Sequence, residues 1–188
     1  AKYLLETNLS NLNHYPTDNH NKIARLLVYL GNFYRSVGNY DQAKKVLERS
    51  LTIYKMNPNH LSNARALGFL AAVYRDLGDY KMAKNLLQES LGIHEKYSRN
   101  KIGHAWILSK LGNIYMLLGD YKQARSLLEN SLLIYKMQGE DYVGFAWVLS
   151  HLGTVYEREG DPEKAINLLN QSLTITRKYF YDDHIFVA

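Results

Sequence analysis

One segment, Leu-Gly-Asn-Phe-Tyr…Gly-Asn-Tyr-Asp-Gln-Ala over residues 30–43, returns three more times nearly in phase. Tyr34, Tyr74, Tyr115 and Tyr156 are spaced by 40, 41 and 41 residues. Gly38, Gly78, Gly119 and Gly160 keep the same steps, as do Ala43, Ala83, Ala124 and Ala165. A fixed period of this size belongs to stacked repeats, each of which buries its apolar face against its neighbours. Such arrays present an extended surface to another chain rather than enclose a reaction, so the period points to binding.

Within one copy the apolar spacing is helical. Ala24, Leu27, Leu30, Gly31, Tyr34 and Val37 recur at steps of three and four, the period of one helix face. Gly38 then stands where a helix C-terminus takes a left-handed residue. Asn39 and its equivalents Asp79, Asp120 and Asp161 can each cap the next helix, and Pro162 fits a first helical position. A second helix follows through Ala43, Val46, Leu47, Ser50, Leu51, Ile53 and Tyr54. Each unit therefore reads as helix A, a tight turn, helix B and a connector, with Pro58 in one connector and Gly139-Glu140-Asp141 in another. Small residues repeat too: Gly31, Ala71, Gly112 and Gly153 on helix A, and the four alanines on helix B. A mid-helix glycine costs roughly 1 kcal/mol against alanine, so its reuse points to close packing of A on B.

Composition narrows the function. The 46% of apolar residues supplies a core, and no apolar run is long enough to span a bilayer. The chain lacks cysteine, which removes disulfides, thiolate metal sites and a cysteine nucleophile, and fits a reducing, cytoplasmic setting. The net charge of +5 mildly favours acidic partners. Catalytic and metal motifs fail where they begin: after His94-Glu95 the second zinc-ligand position is Ser98. His20, His60 and His184 fall at separate helix starts, and Glu157, Glu159, Asp161 and Glu163 read as a solvated turn. No cofactor is expected, and no enzymatic activity. The repeating Tyr34, Tyr74, Tyr115, Tyr156, Tyr40, Tyr80 and Tyr121 read as packing residues.

Leu108, Leu111, Gly112, Tyr115, Gly119, Tyr121, Ala124, Leu128 and Ser131 resemble the tetratricopeptide repeat, and the pattern runs through all four copies. The long period resembles the subclass found in kinesin light chains and in cell-polarity adaptors of the Pins type. Asn19-His20-Asn21-Lys22-Ile23-Ala24, Asn59-His60-Leu61-Ser62-Asn63-Ala64 and Asp183-His184-Ile185-Phe186-Val187-Ala188 resemble the start of helix A in kinesin light chains. Ala64-Arg65-Ala66-Leu67-Gly68 resembles the polarity adaptors. The resemblance implies an all-α fold, a right-handed α-solenoid of antiparallel helix pairs, with repeats at 24–63, 64–104, 105–145 and 146–187. Ala1, Leu5 and Leu9 align with Ala43, Leu47 and Leu51, so residues 1–23 are expected to hold helix B of a preceding repeat and a connector, as in a piece of a longer array.

The same resemblance implies a concave groove lined by the A helices, at positions two, five, six, nine and twelve from the anchoring alanine. These are Arg25, Val28, Tyr29, Asn32 and Arg35, then Arg65, Gly68, Phe69, Ala72 and Arg75. The third and fourth copies supply Trp106, Ser109, Lys110, Asn113 and Met116, then Trp147, Ser150, His151, Thr154 and Glu157. The expected ligand is a protein or peptide segment, acidic against the arginines and with apolar anchors against the tryptophans. Two bland explanations stand beside it: the tryptophans pack on neighbouring repeats, or the arginines are solvated helix faces. Position six, where the family often carries asparagine, holds Tyr29, Phe69, Lys110 and His151; only Asn32 and Asn113, at position nine, remain as groove asparagines. A ligand-sensing part of a larger transcriptional or nucleotide-switch regulator is the other class of function, and nucleic-acid binding is disfavoured by the broken basic stripe.

The packing argument predicts that Ala124→Leu overfills the contact between helices A and B and costs about 1–3 kcal/mol. An unchanged urea midpoint for that variant would contradict it.

Overall fold

The computed structural model of the chain describes residue 7 and residues 20–56, 60–97, 101–138 and 142–180. The expected helix over Ala1, Leu5 and Leu9, the connector residues Pro58 and Gly139–Asp141, and the His184 segment lie outside the described residues. Among the described residues there are eight α-helices and no strand. They are α1 (His20–Ser36), α2 (Tyr40–Met56), α3 (His60–Asp76), α4 (Tyr80–Tyr97), α5 (Lys101–Leu117), α6 (Tyr121–Gln138), α7 (Tyr142–Glu159) and α8 (Pro162–Phe180). Odd-numbered helices are A helices and even-numbered ones are B helices. The chain divides into two compact units, residues 1–98 and 99–188, each holding two helix pairs.

The turns between A and B follow from the glycine and the residue after it. Gly38, Gly78, Gly119 and Gly160 all have positive φ, between 76° and 85°. The left-handed glycine lets its own N–H reach back to a carbonyl three residues earlier in the last turn of the helix, as Gly38 does to Arg35 at 3.1 Å. The next N–H reaches one residue further, from Asn39 to the Tyr34 carbonyl at 2.8 Å. Asp79, Asp120 and Asp161 repeat this bond to Tyr74, Tyr115 and Tyr156 at 2.9 Å. The side chain of the same residue then opens the following helix. Asn39 Oδ1 accepts from Gln42 N–H at 3.2 Å, and the three aspartates accept from Met82, Gln123 and Lys164 at 3.0 to 3.1 Å. One residue thus closes one helix and starts the next, which leaves no slack in the hairpin.

Glycine in the A helices answers to leucine in the B helices. A Cβ placed on Gly31 would meet Leu47 Cγ at 2.5 Å, and one on Gly112 would meet Leu128 Cγ at 2.8 Å. Gly153 stands in the same relation to Leu169. The B-helix alanines Ala43, Ala83 and Ala124 have no exposed surface, as expected for residues that admit a neighbouring backbone. A polar tie accompanies this close approach. Ser50 Oγ donates to the Ala24 carbonyl at 2.9 Å; Ser90, Ser131 and Ser172 donate to Ala64, Ala105 and Ala146 at 2.7 Å. A carbonyl has two lone pairs, so it accepts the hydroxyl without giving up its helical bond.

Between pairs the core is apolar. In the first unit Ala24, Val28, Ala43, Leu47, Tyr54, Ala66, Leu70 and Val73 form one buried cluster. In the second, Ala105, Ala124, Leu128, Tyr135, Val148, Leu152 and Val155 do the same. The recurrent tyrosines of the A helices flank these clusters: Tyr34 and Tyr74 in one unit, Tyr115 and Tyr156 in the other. Tyr156 also donates to Glu129 Oε1 at 2.8 Å, which ties α7 back to α6.

Two substitutions in the second unit separate the turn from the polar tie. Gly119→Ala forces alanine into the left-handed region and costs about 1–2 kcal/mol. Ser131→Ala removes one buried hydrogen bond while the Ala105 carbonyl keeps its helical partner, a cost of about 1 kcal/mol. Chemical-denaturation midpoints of the two variants measure both values.

Candidate ligand-binding face of the A helices

With the anchoring alanine counted as one, residues at positions two, six, nine and twelve lie on one face of each A helix, because steps of three and four return to the same side. In the first unit α1 and α3 are direct neighbours, so their two faces adjoin. Arg25, Tyr29 and Arg65 are exposed there. Phe69 instead leans on the buried cluster and is half-buried, which makes it part of the wall.

The four arginines do not share one environment. Arg35 Nη1 donates to Asp76 Oδ2 at 2.7 Å, across from α1 to α3. Arg75 Nε donates to the other carboxylate oxygen, Oδ1, at 2.8 Å, and Arg75 Nη2 reaches that oxygen too. Asn32 Oδ1 braces Arg35 from below, with guanidinium contacts of 3.3 and 3.4 Å. Asp76 is the last residue of α3, at the negative end of the helix dipole, where a lone carboxylate is disfavoured. Two guanidiniums offset that cost. Arg25 and Arg65, six residues into their helices, make no ion pair among the described residues. Both lie near the Tyr54 phenol. Burial pushes that phenol above its ordinary value; hydrogen bonding from Ser62 and the charges of Arg25 and Arg65 work against the shift.

The second unit carries an aromatic and cationic cluster on α5 and α7. Lys110 Nζ sits 3.8 Å from the ring centre of Trp147 and 5.8 Å from that of Trp106. The Trp147 ring is also stacked on His151, with centroids 3.6 Å apart and planes at 26°. His151 Nδ1 lies 2.9 Å from the Trp147 carbonyl, one helical turn back. Trp147 in turn leans on the buried cluster of this unit. Both ring partners of Trp147 are thus the protein's own, and it packs as much as it presents a surface. Asn113 is buried, 6% exposed, on the same α5 face, and Ser109 Oγ donates to the Trp106 carbonyl at 2.7 Å.

The carboxylates around the last turn have structural work. Asp161 caps α8 and pairs with Lys164 Nζ at 2.7 Å; that ammonium holds the Asp161 carboxyl below its ordinary value. Glu159 pairs with Arg125 at 2.8 Å. Arg125 and Lys164 also approach the Tyr156 ring, at 5.9 and 5.2 Å. Among the described residues no group of histidine and carboxylate side chains could hold a metal ion. No helix among them is long and apolar enough to cross a membrane.

The tetratricopeptide-repeat profile matches residues 22–96 and 103–178, and the chain belongs to that family. No curated protein sequence matches it significantly. Among solved structures it is similar to BtubC (BKLC) from P. vanneervenii, with 21% identity over 95% of this chain and 72% of that one, at a TM-score of 0.77. It is similar also to the kinesin-light-chain repeats of Podosopora anserina, at 22% identity, over 94% of this chain and 85% of that one, with a TM-score of 0.69. A Rap protein complexed with Competence and Sporulation Factor matches with a TM-score of 0.79 and 16% identity, over 88% of this chain but 46% of the Rap chain. At these identities the likeness establishes the solenoid fold of helix pairs expected from the repeat.

The Lys110–Trp147 contact predicts a measurable coupling. A double-mutant cycle with Lys110→Ala and Trp147→Leu yields about 0.5–1 kcal/mol of interaction in unfolding free energy. Strict additivity would show that the ammonium does not rest on the ring.

Proposed function

We propose that this chain is a non-catalytic scaffold of the cytoplasm that binds a protein or peptide segment along its A-helix face. Repeat boundaries at 24–63, 64–104, 105–145 and 146–187 place one anchoring alanine at the head of each copy. The observation that carries the reading is the separation of two residue sets. Residues common to the copies are spent on turns and on the contact between A and B. Residues that differ include the exposed positions of the A-helix face, where Arg25, Arg65 and Tyr29 stand.

The arginines of the first unit favour an acidic stretch of the partner, since guanidinium forks match carboxylates. In the second unit the half-buried Trp106, Lys110, Trp147 and His151 supply a mixed surface, with Asn113 buried on the same face. An apolar anchor there competes with Lys110 for the rings. Asn32 is tied to Arg35 and Asn113 is buried, so the proposed contact does not rely on either position-nine asparagine.

A second reading has one observation behind it. A Rap protein complexed with Competence and Sporulation Factor is among the similar structures, and this chain spans less than half of it. The same face would then sense a ligand on behalf of a larger regulatory protein.

Selection from a random peptide library tests the shared core of both readings. The expected winners are acidic, and Arg25→Glu with Arg65→Glu weakens them at least about tenfold, or ~1.4 kcal/mol. Winners without acidic residues, or unchanged affinity in the double variant, would overturn the charge argument.

A further inference from the structure

Asp76 has no counterpart in the repeat. The equivalent positions hold Ser36, Leu117 and Arg158, so the scaffold does not require a carboxylate there. Its partners are as particular: the places of Arg35 and Arg75 are taken by Met116 and Glu157 in the later copies. Yet the three side chains form a closed arrangement, each carboxylate oxygen taken by one guanidinium. The side chain of Asp76 is 18% exposed, and those of Arg35 and Arg75 are 25% and 24% exposed. This is how a ligand carboxylate would be held, except that the carboxylate belongs to the protein.

We propose that Asp76 acts as an internal ligand that shuts Arg35 and Arg75 to external anions, so that a partner's carboxylates are received by Arg25 and Arg65 at the other end of the same face. The inference rests on the peptide-binding reading and sharpens it, since it divides four arginines of one face into two that are satisfied and two that recognise. A tethered carboxylate competes at an effective concentration of millimolar order or more. Here the tether is shorter still, because Asp76 follows Arg75 directly in the chain. A partner's carboxylate at micromolar concentration cannot displace it. Geometry favours the other end on two further counts. Arg25 and Arg65 occupy the same register position on adjoining helices, and both are exposed.

The test uses arginine Nε–Hε NMR signals, assigned by single substitutions, and acetyl-tetraglutamate amide as the probe. In the unsubstituted chain the probe is expected to shift Arg25 and Arg65 and to leave Arg35 and Arg75 in place. Asp76→Asn keeps the shape and removes the charge. In that variant Arg35 and Arg75 are expected to respond as well, and the probe to bind at least about threefold more tightly. Movement of Arg35 or Arg75 in the unsubstituted chain would overturn the proposal, as would silence at Arg25 and Arg65 or no change in Asp76→Asn. The probe has no sequence to recognise, so the two readings fail separately. If library selection yields no peptide while the probe still parts the arginines, the partition stands and the peptide reading falls.

Discussion

At three of the four copies a glycine of helix A faces a leucine of helix B with no room for a Cβ between them. A Cβ on Gly31, Gly112 or Gly153 would come within 2.5 to 2.8 Å of the facing leucine Cγ. Three further features depend on that proximity. The hydroxyls of Ser50, Ser90, Ser131 and Ser172 reach alanine carbonyls of the partner helix only because the helices are this close. The hairpin turn must be short and fixed, which a left-handed glycine and a residue that both closes and caps accomplish together. The apolar clusters between successive pairs then assemble from whatever face the hairpin leaves outward. The second copy shows the tolerance of the contact, since Ala71 stands there in place of glycine and Leu87 is still buried.

With the inner contacts assigned to shared residues, the A-helix face is left to vary between copies, and it does. The first unit pairs Arg35 and Arg75 through one carboxylate and leaves Arg25 and Arg65 exposed. The second replaces this with two tryptophans and a lysine lying against them. Both faces contain a charge that already satisfies part of its own surroundings, Asp76 in one and Lys110 in the other. A surface of this kind selects its ligands by what it withholds as well as by what it offers.

Much of the fold is legible in the chain because it is written in local rules. Gly38 and its equivalents have the positive φ that their place after an apolar helix stripe requires, and Asn39, Asp79, Asp120 and Asp161 cap as their chemistry dictates. The small residues were readable as close packing, though not which leucine each one meets. The candidate face was readable only as a set of positions. Asp76 falls one residue past the last position counted on the A helix, and its link to Arg35 spans 41 residues. No local spacing announces such a bond. Lys110 over Trp147 and the Tyr156–Glu129 hydrogen bond are of the same kind, made by side chains from different helices. Trp147 reads in the sequence either as a ligand anchor or as a packing residue; its ring carries Lys110 and His151 on its faces and also leans on the core, contacts that no spacing announces.

On the proposed reading, ligands bind on the A helices while the B helices serve the scaffold. Amide hydrogen exchange with and without a library-selected peptide addresses it directly. Added protection is expected in α1, α3, α5 and α7, with α2, α4, α6 and α8 unchanged. Protection gained chiefly in the B helices would contradict it.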